Sequence, residues 1–351
     1  MRIAFDVSPL SHPATGIGNY LRGSLAGLLE ASGGQDEVVA FAPTSIRGPE
    51  RIRAALAGLD VELWLPRLPF SHAFRTAWSR ARRPAAERLL GRFDVLHYSD
   101  WMYPPQRAGV RATTIHDLVP VRFPHWVTAR TRAMHGRKYR DARSCHVVFV
   151  NSAFTGRDVE ATLGIAAARI RVAHPGVREA FRADGPAADL GAPYVLAVGG
   201  AGARKNLDVL LRAARLLGGD LLLAVVGEGE PGPEAPGLRR LGFVSDEELA
   251  ALYRGAAAVA YPSRFEGFGM PIVEAMACGA PVVASAHPSL DEASGEAALR
   301  ADPEDAEAFA AALERAFVER ERLVAAGREH ARRFTWRAVG ETFLAGYREA
   351  A

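Results

Sequence analysis

Short apolar runs alternate with longer amphipathic stretches from one end of the chain to the other. The short runs predict strands at 2–7, 37–42, 60–65, 93–98, 111–116 and 145–150, and again at 193–198, 220–226, 256–261 and 280–284. Between them, apolar residues at helical spacing predict helices at 18–31, 73–91, 128–142, 153–162, 206–217, 246–254, 271–278 and 304–328. Pro84 should kink or split the second helix, because it lacks an N–H and clashes with the preceding turn. Strands alternating with helices of this length imply βαβ units and parallel sheets.

The pattern stops and restarts once. Residues 183–193 are rich in Gly, Pro, Ala and Asp and have no apolar period, after which Tyr194-Val195-Leu196-Ala197-Val198 begins a fresh strand. The reading is therefore an α/β chain of two Rossmann-like domains, 1–182 and 194–334, with a linker at 183–193. A last helix, 335–351, follows Thr335 as its N-cap. A length of 351 residues suits two domains better than one core.

Composition narrows the class only a little. The amino terminus has neither a basic n-region nor a long apolar h-region, and no stretch approaches the roughly eighteen apolar residues of a membrane span. That points to a cytoplasmic protein. Cys145 and Cys278 are isolated thiols, read as small buried hydrophobes. Charge is uneven: residues 1–178 hold 25 Arg and Lys against 14 Asp and Glu, residues 179–351 hold 18 against 26. The first half should meet something anionic. Only Lys138 and Lys205 among the 43 basic residues are lysines, so the chain is biased toward arginine throughout and a single Arg says little. The segment 73–92 carries Arg75, Arg80, Arg82, Arg83, Arg88 and Arg92 alongside Phe74, Trp78, Ala81, Ala85 and Leu89. It is either a solvated face over a core or a peripheral contact with the inner face of a membrane.

Four segments carry candidate chemistry. The first runs from Arg264 to Gly279, where a strand meets a glycine-bearing turn and a helix with Pro271 in its first turn. The amides of Phe268, Gly269 and Met270 at that helix start make a ready anion site, and Glu266 and Glu274 can point into the same cleft. The second is Val198-Gly199-Gly200-Ala201-Gly202-Ala203-Arg204-Lys205-Asn206, a strand-to-helix turn whose two cations suit a diphosphate leaving group. The third is Thr15-Gly16-Ile17-Gly18-Asn19-Tyr20 after the first strand. It fails as a dinucleotide fingerprint because Leu21 stands where the third glycine belongs. The fourth is Thr113-Thr114-Ile115-His116-Asp117 at a strand's carboxyl end, where parallel sheets place ligand sites. Asp117 orients His116, touches an acceptor, or caps the turn that follows.

The glutamates seven residues apart, within Phe265-Glu266-Gly267-Phe268-Gly269 through Ala280-Pro281-Val282-Val283-Ala284-Ser285, resemble the E-x7-E motif of family 4 retaining glycosyltransferases. The resemblance implies the GT-B fold, two Rossmann-like domains facing each other across a cleft, with the last helix crossing back to the first domain. It implies that Glu266 contacts the transferred sugar, that Glu274 holds the ribose, and that the amides of Phe268, Gly269 and Met270 contact sugar or diphosphate. Arg204 and Lys205 then hold the pyrophosphate, although Gly200 stands where many members have a further arginine. Gly16, Gly18 and Gly199 would face the donor phosphates, His116 the donor sugar, and Val244 the nucleobase, with Asp117, Asn19 and Tyr20 toward the acceptor. His174-Pro175-Gly176-Val177 matches a further family segment ahead of the linker.

The expected reaction moves a hexose, mannose by preference, from a nucleotide sugar to a glycan, lipid-linked or small-molecule hydroxyl. GDP-mannose is favoured over a UDP-sugar. No two aspartates are one residue apart, so a D-x-D metal site is absent, and no cofactor or metal is expected. A nucleotide-dependent oxidoreductase, or a non-enzymatic protein binding an anionic ligand, is the alternative. A glycan phosphorylase would need a lysine for its cofactor, and Lys205 is better placed for a diphosphate. No nucleic-acid module is present, so no nucleic-acid partner is expected.

Overall fold

The computed structural model describes residues 1–12, 16–81, 83–200, 202–219, 221–227 and 235–351, which fold as two compact units. Met1–Gly176 and Thr335–Ala351 form the first, Val177–Phe334 the second. Thr15, Arg82, Ala201 and the first residue of the 220–226 run lie outside the described residues.

In the first unit seven strands pair in parallel: β1 (Arg2–Asp6), β2 (Glu37–Phe41), β3 (Glu62–Trp64), β4 (Val95–Tyr98), β5 (Val110–Ile115), β6 (Val147–Val150) and β7 (Ile170–Val172). Their order is β3-β2-β1-β4-β5-β6-β7, so the winding reverses between β1 and β4. Helices α1 (Gly16–Ser32), α2 (Gly48–Ala55), α3 (Ser71–Ala81), α4 (Glu87–Leu90), α5 (Val119–Arg122), α6 (Ala129–Ala142) and α7 (Ala153–Leu163) connect them. The helix expected over 73–91 is broken as Pro84 requires, α3 ending at Ala81 and α4 starting at Glu87. Ile3 and Phe5 pack with Leu25 and Phe343 on one side of the sheet, Ala4 with Trp78 and Leu96 on the other. Both faces are covered, which is why the strands are apolar without alternation.

The second unit repeats the plan with β8 (Tyr194–Val198), β9 (Leu222–Val226), β10 (Leu238–Gly242), β11 (Ala258–Tyr261), β12 (Val282–Ser285) and β13 (Leu299–Ala301). The order β10-β9-β8-β11-β12-β13 reverses between β8 and β11. Its helices are α8 (Leu207–Leu217), α9 (Asp246–Gly255), α10 (Met270–Ala277), α11 (Asp291–Ser294), α12 (Ala306–Val318) and α13 (Arg320–Ala331). The single helix expected over 304–328 is two, parting at Glu319, which leaves the helical conformation.

The last helix, α14 (Trp336–Ala350), belongs to the first unit. Thr335 caps it by accepting from the Ala338 N–H at 3.2 Å. A Cβ on Gly27 would lie 1.8 Å from the Trp336 carbonyl oxygen, and one on Gly340 2.0 Å from that of Gly27. The backbones of α1 and α14 touch there, and only glycine fits.

Two expectations need correction. The chain passes from the first unit to the second at Gly176–Val177, upstream of 183–193. That stretch is pinned to the second unit, with Ala188 N–H donating to Ala251 O at 2.8 Å and Arg254 Nε to Pro186 O at 2.7 Å. Ala188 and Leu190 also pack against that unit's core. The second correction concerns Arg75, which does not join a solvated face of α3 but is 4% exposed. Among the described residues no helix is long and apolar enough to cross a membrane.

Candidate active site

At the carboxyl ends of β8 and β11, two turns of the second unit are stitched together. The Arg264 N–H donates to Arg204 O at 2.9 Å, Arg204 Nη1 to Phe265 O at 3.3 Å, and Asn206 Nδ2 to Pro262 O at 3.2 Å. Asn206 holds a left-handed backbone, φ 56°, ahead of α8. Gly199 has φ +129°, and a Cβ there would lie 2.7 Å from Lys205 Cε, so the turn's tightness is what lets Lys205 fold back.

The stitching brings Arg204, Lys205 and Glu266 into one cluster. Arg204 Nη1 bonds Glu266 Oε2, and Lys205 Nζ donates to Glu266 Oε1 at 2.8 Å and to the Tyr261 hydroxyl at 2.7 Å. Burial would raise the Glu266 carboxyl, but Lys205 and Arg204 hold it down at about 2. It is therefore ionised at neutral pH. Gly269, φ +106°, caps α10, so Met270 and Pro271 sit in the first turn at the positive end of the helix dipole. Phe268 is buried against Phe334, centroids 5.2 Å apart. One turn further in, Glu274 is 4% exposed. Arg178 Nη2 donates to its Oε1 at 2.9 Å and the Tyr253 hydroxyl to its Oε2 at 3.4 Å. Burial nevertheless raises the Glu274 carboxyl above its ordinary range. Arg178 also bonds Asp246 at the start of α9. Val244, half-buried between β10 and α9, packs against the second unit's core.

The first unit carries a different cluster at the carboxyl ends of β4, β5 and β6. His116 Nε2 lies 3.7 Å from Asp100 Oδ2, and Asn151 Nδ2 is 3.3 Å from His116 Nδ1. Lys138, wholly buried on α6, bonds both Asp100 and the Thr114 carbonyl. Burial lowers the imidazole to about 4 despite Asp100, so His116 is neutral at physiological pH and offers a hydrogen bond without charge. Asp100 would be raised by burial, but Lys138 and His116 hold it at about 2. Among the described residues no group of three His, Cys, Asp or Glu is gathered in a way that could hold a metal ion.

Both constellations lie in segments that resemble known proteins. The profile described as Glycosyltransferase Family 4 matches residues 15–181, and that described as Glycosyl transferases group 1 matches 192–318. The D-inositol 3-phosphate glycosyltransferase of Thermobifida fusca is 31% identical, the match covering 76% of this chain and 72% of that protein. The chain belongs to glycosyltransferase family 4. The O-antigen chain mannosyltransferase B of Escherichia coli is 29% identical over 96% of both chains. Among solved structures, a sucrose-phosphate synthase from Thermosynechococcus elongatus has a TM-score of 0.72 at 20% identity, covering 99% of this chain and 98% of its own. The fold is GT-B, and the protein is a glycosyltransferase.

In this glycosyltransferase the second-unit candidates Gly199, Arg204, Lys205, Glu266, Phe268, Gly269, Met270 and Glu274 gather on the β8 and β11 turns and α10. Gly16 and Gly18 lie in the first turn of α1 and not in a free loop, with Asn19 and Tyr20 following on the helix. Tyr20 is buried, its ring edge-on to His116 at 4.8 Å, so it sets that imidazole's position. Of the three roles open to Asp117, the geometry favours the turn: its Oδ1 accepts from the Val119 N–H at 2.9 Å. The partners of His116 are Asp100 and Asn151, which the sequence reading missed, along with Lys138 and Arg178. A signal existed for Lys138, since in an arginine-biased chain only two basic positions are lysine and the other is Lys205.

Proposed function

We propose that this glycosyltransferase transfers a hexosyl group, mannose by preference, from a nucleoside-diphosphate sugar to an acceptor hydroxyl with retention and without a metal. GDP-mannose is the favoured donor over a UDP-sugar. The observation that carries the reading is the Arg204–Lys205–Glu266 cluster beside the α10 amino terminus. As the bond from the sugar's anomeric carbon to the diphosphate breaks, negative charge grows on the leaving oxygen. Arg204, Lys205 and the amides of Phe268, Gly269 and Met270 offer stabilisation that strengthens in the transition state. Glu266, ionised between the two cations, takes sugar hydroxyls and keeps Arg204 and Lys205 aimed. Glu274 takes the ribose, Val244 the base, and neutral His116 a hydroxyl of the transferred sugar. Gly16, Gly18 and Gly199 serve the phosphates; Asn19 serves the acceptor, while Asp117 holds the turn after His116.

The mannosyl preference draws on the name of the E. coli relative, and the metal-free mechanism on the two cations together with the missing D-x-D pair. The acceptor is a glycan, lipid-linked or small molecule. The test is incubation with GDP-mannose, UDP-glucose and UDP-galactose, with and without chelator, reading nucleotide release and the anomeric configuration of the product by NMR. An α-linked product from GDP-mannose in chelator is expected. Activity that vanishes in chelator and returns with magnesium or manganese would overturn the metal-free mechanism.

A further inference from the structure

A cavity of about 350 Å³ opens in the first unit between α3 and α6, over the segments that follow β1 and β4. This is the point at which strand order reverses, the crevice where parallel sheets hold ligands. Its wall includes Arg75 from α3 and Arg130 and Arg137 from α6, with Asp100 and Trp101 from the turn after β4. Arg75 is 4% exposed, and among the described residues neither its Nε nor its Nη1 has a hydrogen-bond partner. Its guanidinium lies 5.3 Å from the centre of the Trp101 ring. A buried guanidinium with unpaired donors is costly, and an anion that accepts from it removes that cost. Asp100 does not oppose such an anion, because Lys138 already pairs with it. Of the other titratable groups on the wall, His12 and His72 are pushed toward the neutral form by burial and by Arg75, and burial raises the Tyr103 hydroxyl, which stays neutral.

We propose that this cavity binds a phosphate group carried by the acceptor, with Arg75 as the buried anchor and Arg130 and Arg137 completing the charge. Three guanidinium groups around one space suit a phosphate, which takes bidentate bonds from arginine and carries more charge than a carboxylate. The volume leaves room for a sugar or polyol beside the phosphate. Asp100 ties the cavity to the transfer site, since its other oxygen faces His116. The proposal rests on the glycosyltransferase reading and specifies its acceptor as a phosphorylated compound, either soluble or lipid-borne.

The test is titration of the whole protein, with GDP saturating the diphosphate site, using glycerol 3-phosphate against glycerol. A second arm measures co-sedimentation with vesicles of phosphatidic acid in phosphatidylcholine against phosphatidylcholine alone. Binding to either phosphate source is expected, weakened at least about tenfold in Arg75→Gln and in the solvent-facing Arg130→Gln, the loss of one charge-assisted hydrogen bond. Binding in the soluble arm identifies a free acceptor phosphate, and binding confined to vesicles a lipid-borne one. Absence of binding in both arms, or binding that both variants retain in full, overturns the proposal. The first unit's calorimetric transition in the same variants reports folding, and nucleotide affinity separates the outcomes: if wild type fails to bind GDP or UDP the donor reading itself falls, and if it binds them only the phosphate proposal does.

Discussion

The two units both place chemistry at the carboxyl ends of parallel strands and build it in opposite ways. In the second unit the charged groups come from two adjacent turns and one helix, Arg204 to Asn206 and Tyr261 to Glu274, held by backbone bonds between the turns. In the first, single side chains arrive from separate elements: Asp100 after β4, His116 after β5, Lys138 from α6 and Asn151 after β6. A compact site depends on turn geometry, a dispersed one on core packing. Damage should therefore appear as lost turnover in the second unit and as lost stability in the first.

The two lysines sharpen this contrast most. Lys138→Met leaves Asp100 charged and buried without its partner, which should cost on the order of 3–5 kcal/mol of stability. Lys205→Ala leaves Glu266 still paired with Arg204, so stability should hold while kcat falls about 10²–10³-fold, as for loss of one transition-state donor. Calorimetry and steady-state rates on both variants decide it. Equal stability losses would break the comparison.

The same contrast explains what the sequence could convey. The ten strands read from apolar runs are all present, because both faces of each sheet are covered and the strands carry no alternation to confuse the pattern. Missing from that reading were β7, β10 and β13, each at a sheet edge and each containing arginine, where no apolar run is needed. The second-unit candidates were legible because Glu266 and Glu274, or Arg204 and Lys205, are close in sequence and flanked by glycines. The Asp100–His116–Lys138–Asn151 group was not, since its members are scattered and meet only through the order β4-β5-β6 and the packing of α6. Arg178 sits one residue beyond the recognised His174–Val177 segment, and nothing local marks it as the partner of Glu274.

Acid should separate the units by a smaller margin. Burial lowers His97 to about 3 and His116 to about 4, from 6.5 in the unfolded chain. Between those values the unfolded state binds more protons, so the stability each contributes falls as pH drops below 6.5, by about 2 kcal/mol per histidine at pH 5. In the second unit His287 and His330 shift in the same direction, while Glu266, depressed to about 2, loses its contribution only as pH falls below the ordinary carboxylate range. Calorimetric scans at pH 7 and pH 5 should show the first unit's transition moving down further than the second's. A larger drop in the second unit would contradict this assignment.

The proposed function has the second unit hold the nucleoside diphosphate, which isothermal titration of GDP and UDP into matched variants can decide. Glu274→Ala loses a charged hydrogen-bond acceptor, on the order of 1.5–3 kcal/mol, so its Kd should rise about tenfold or more. His116→Ala should bind the nucleotide like wild type and lose transfer instead. Wild-type nucleotide affinity in Glu274→Ala, with the loss falling on His116→Ala, would contradict the claim.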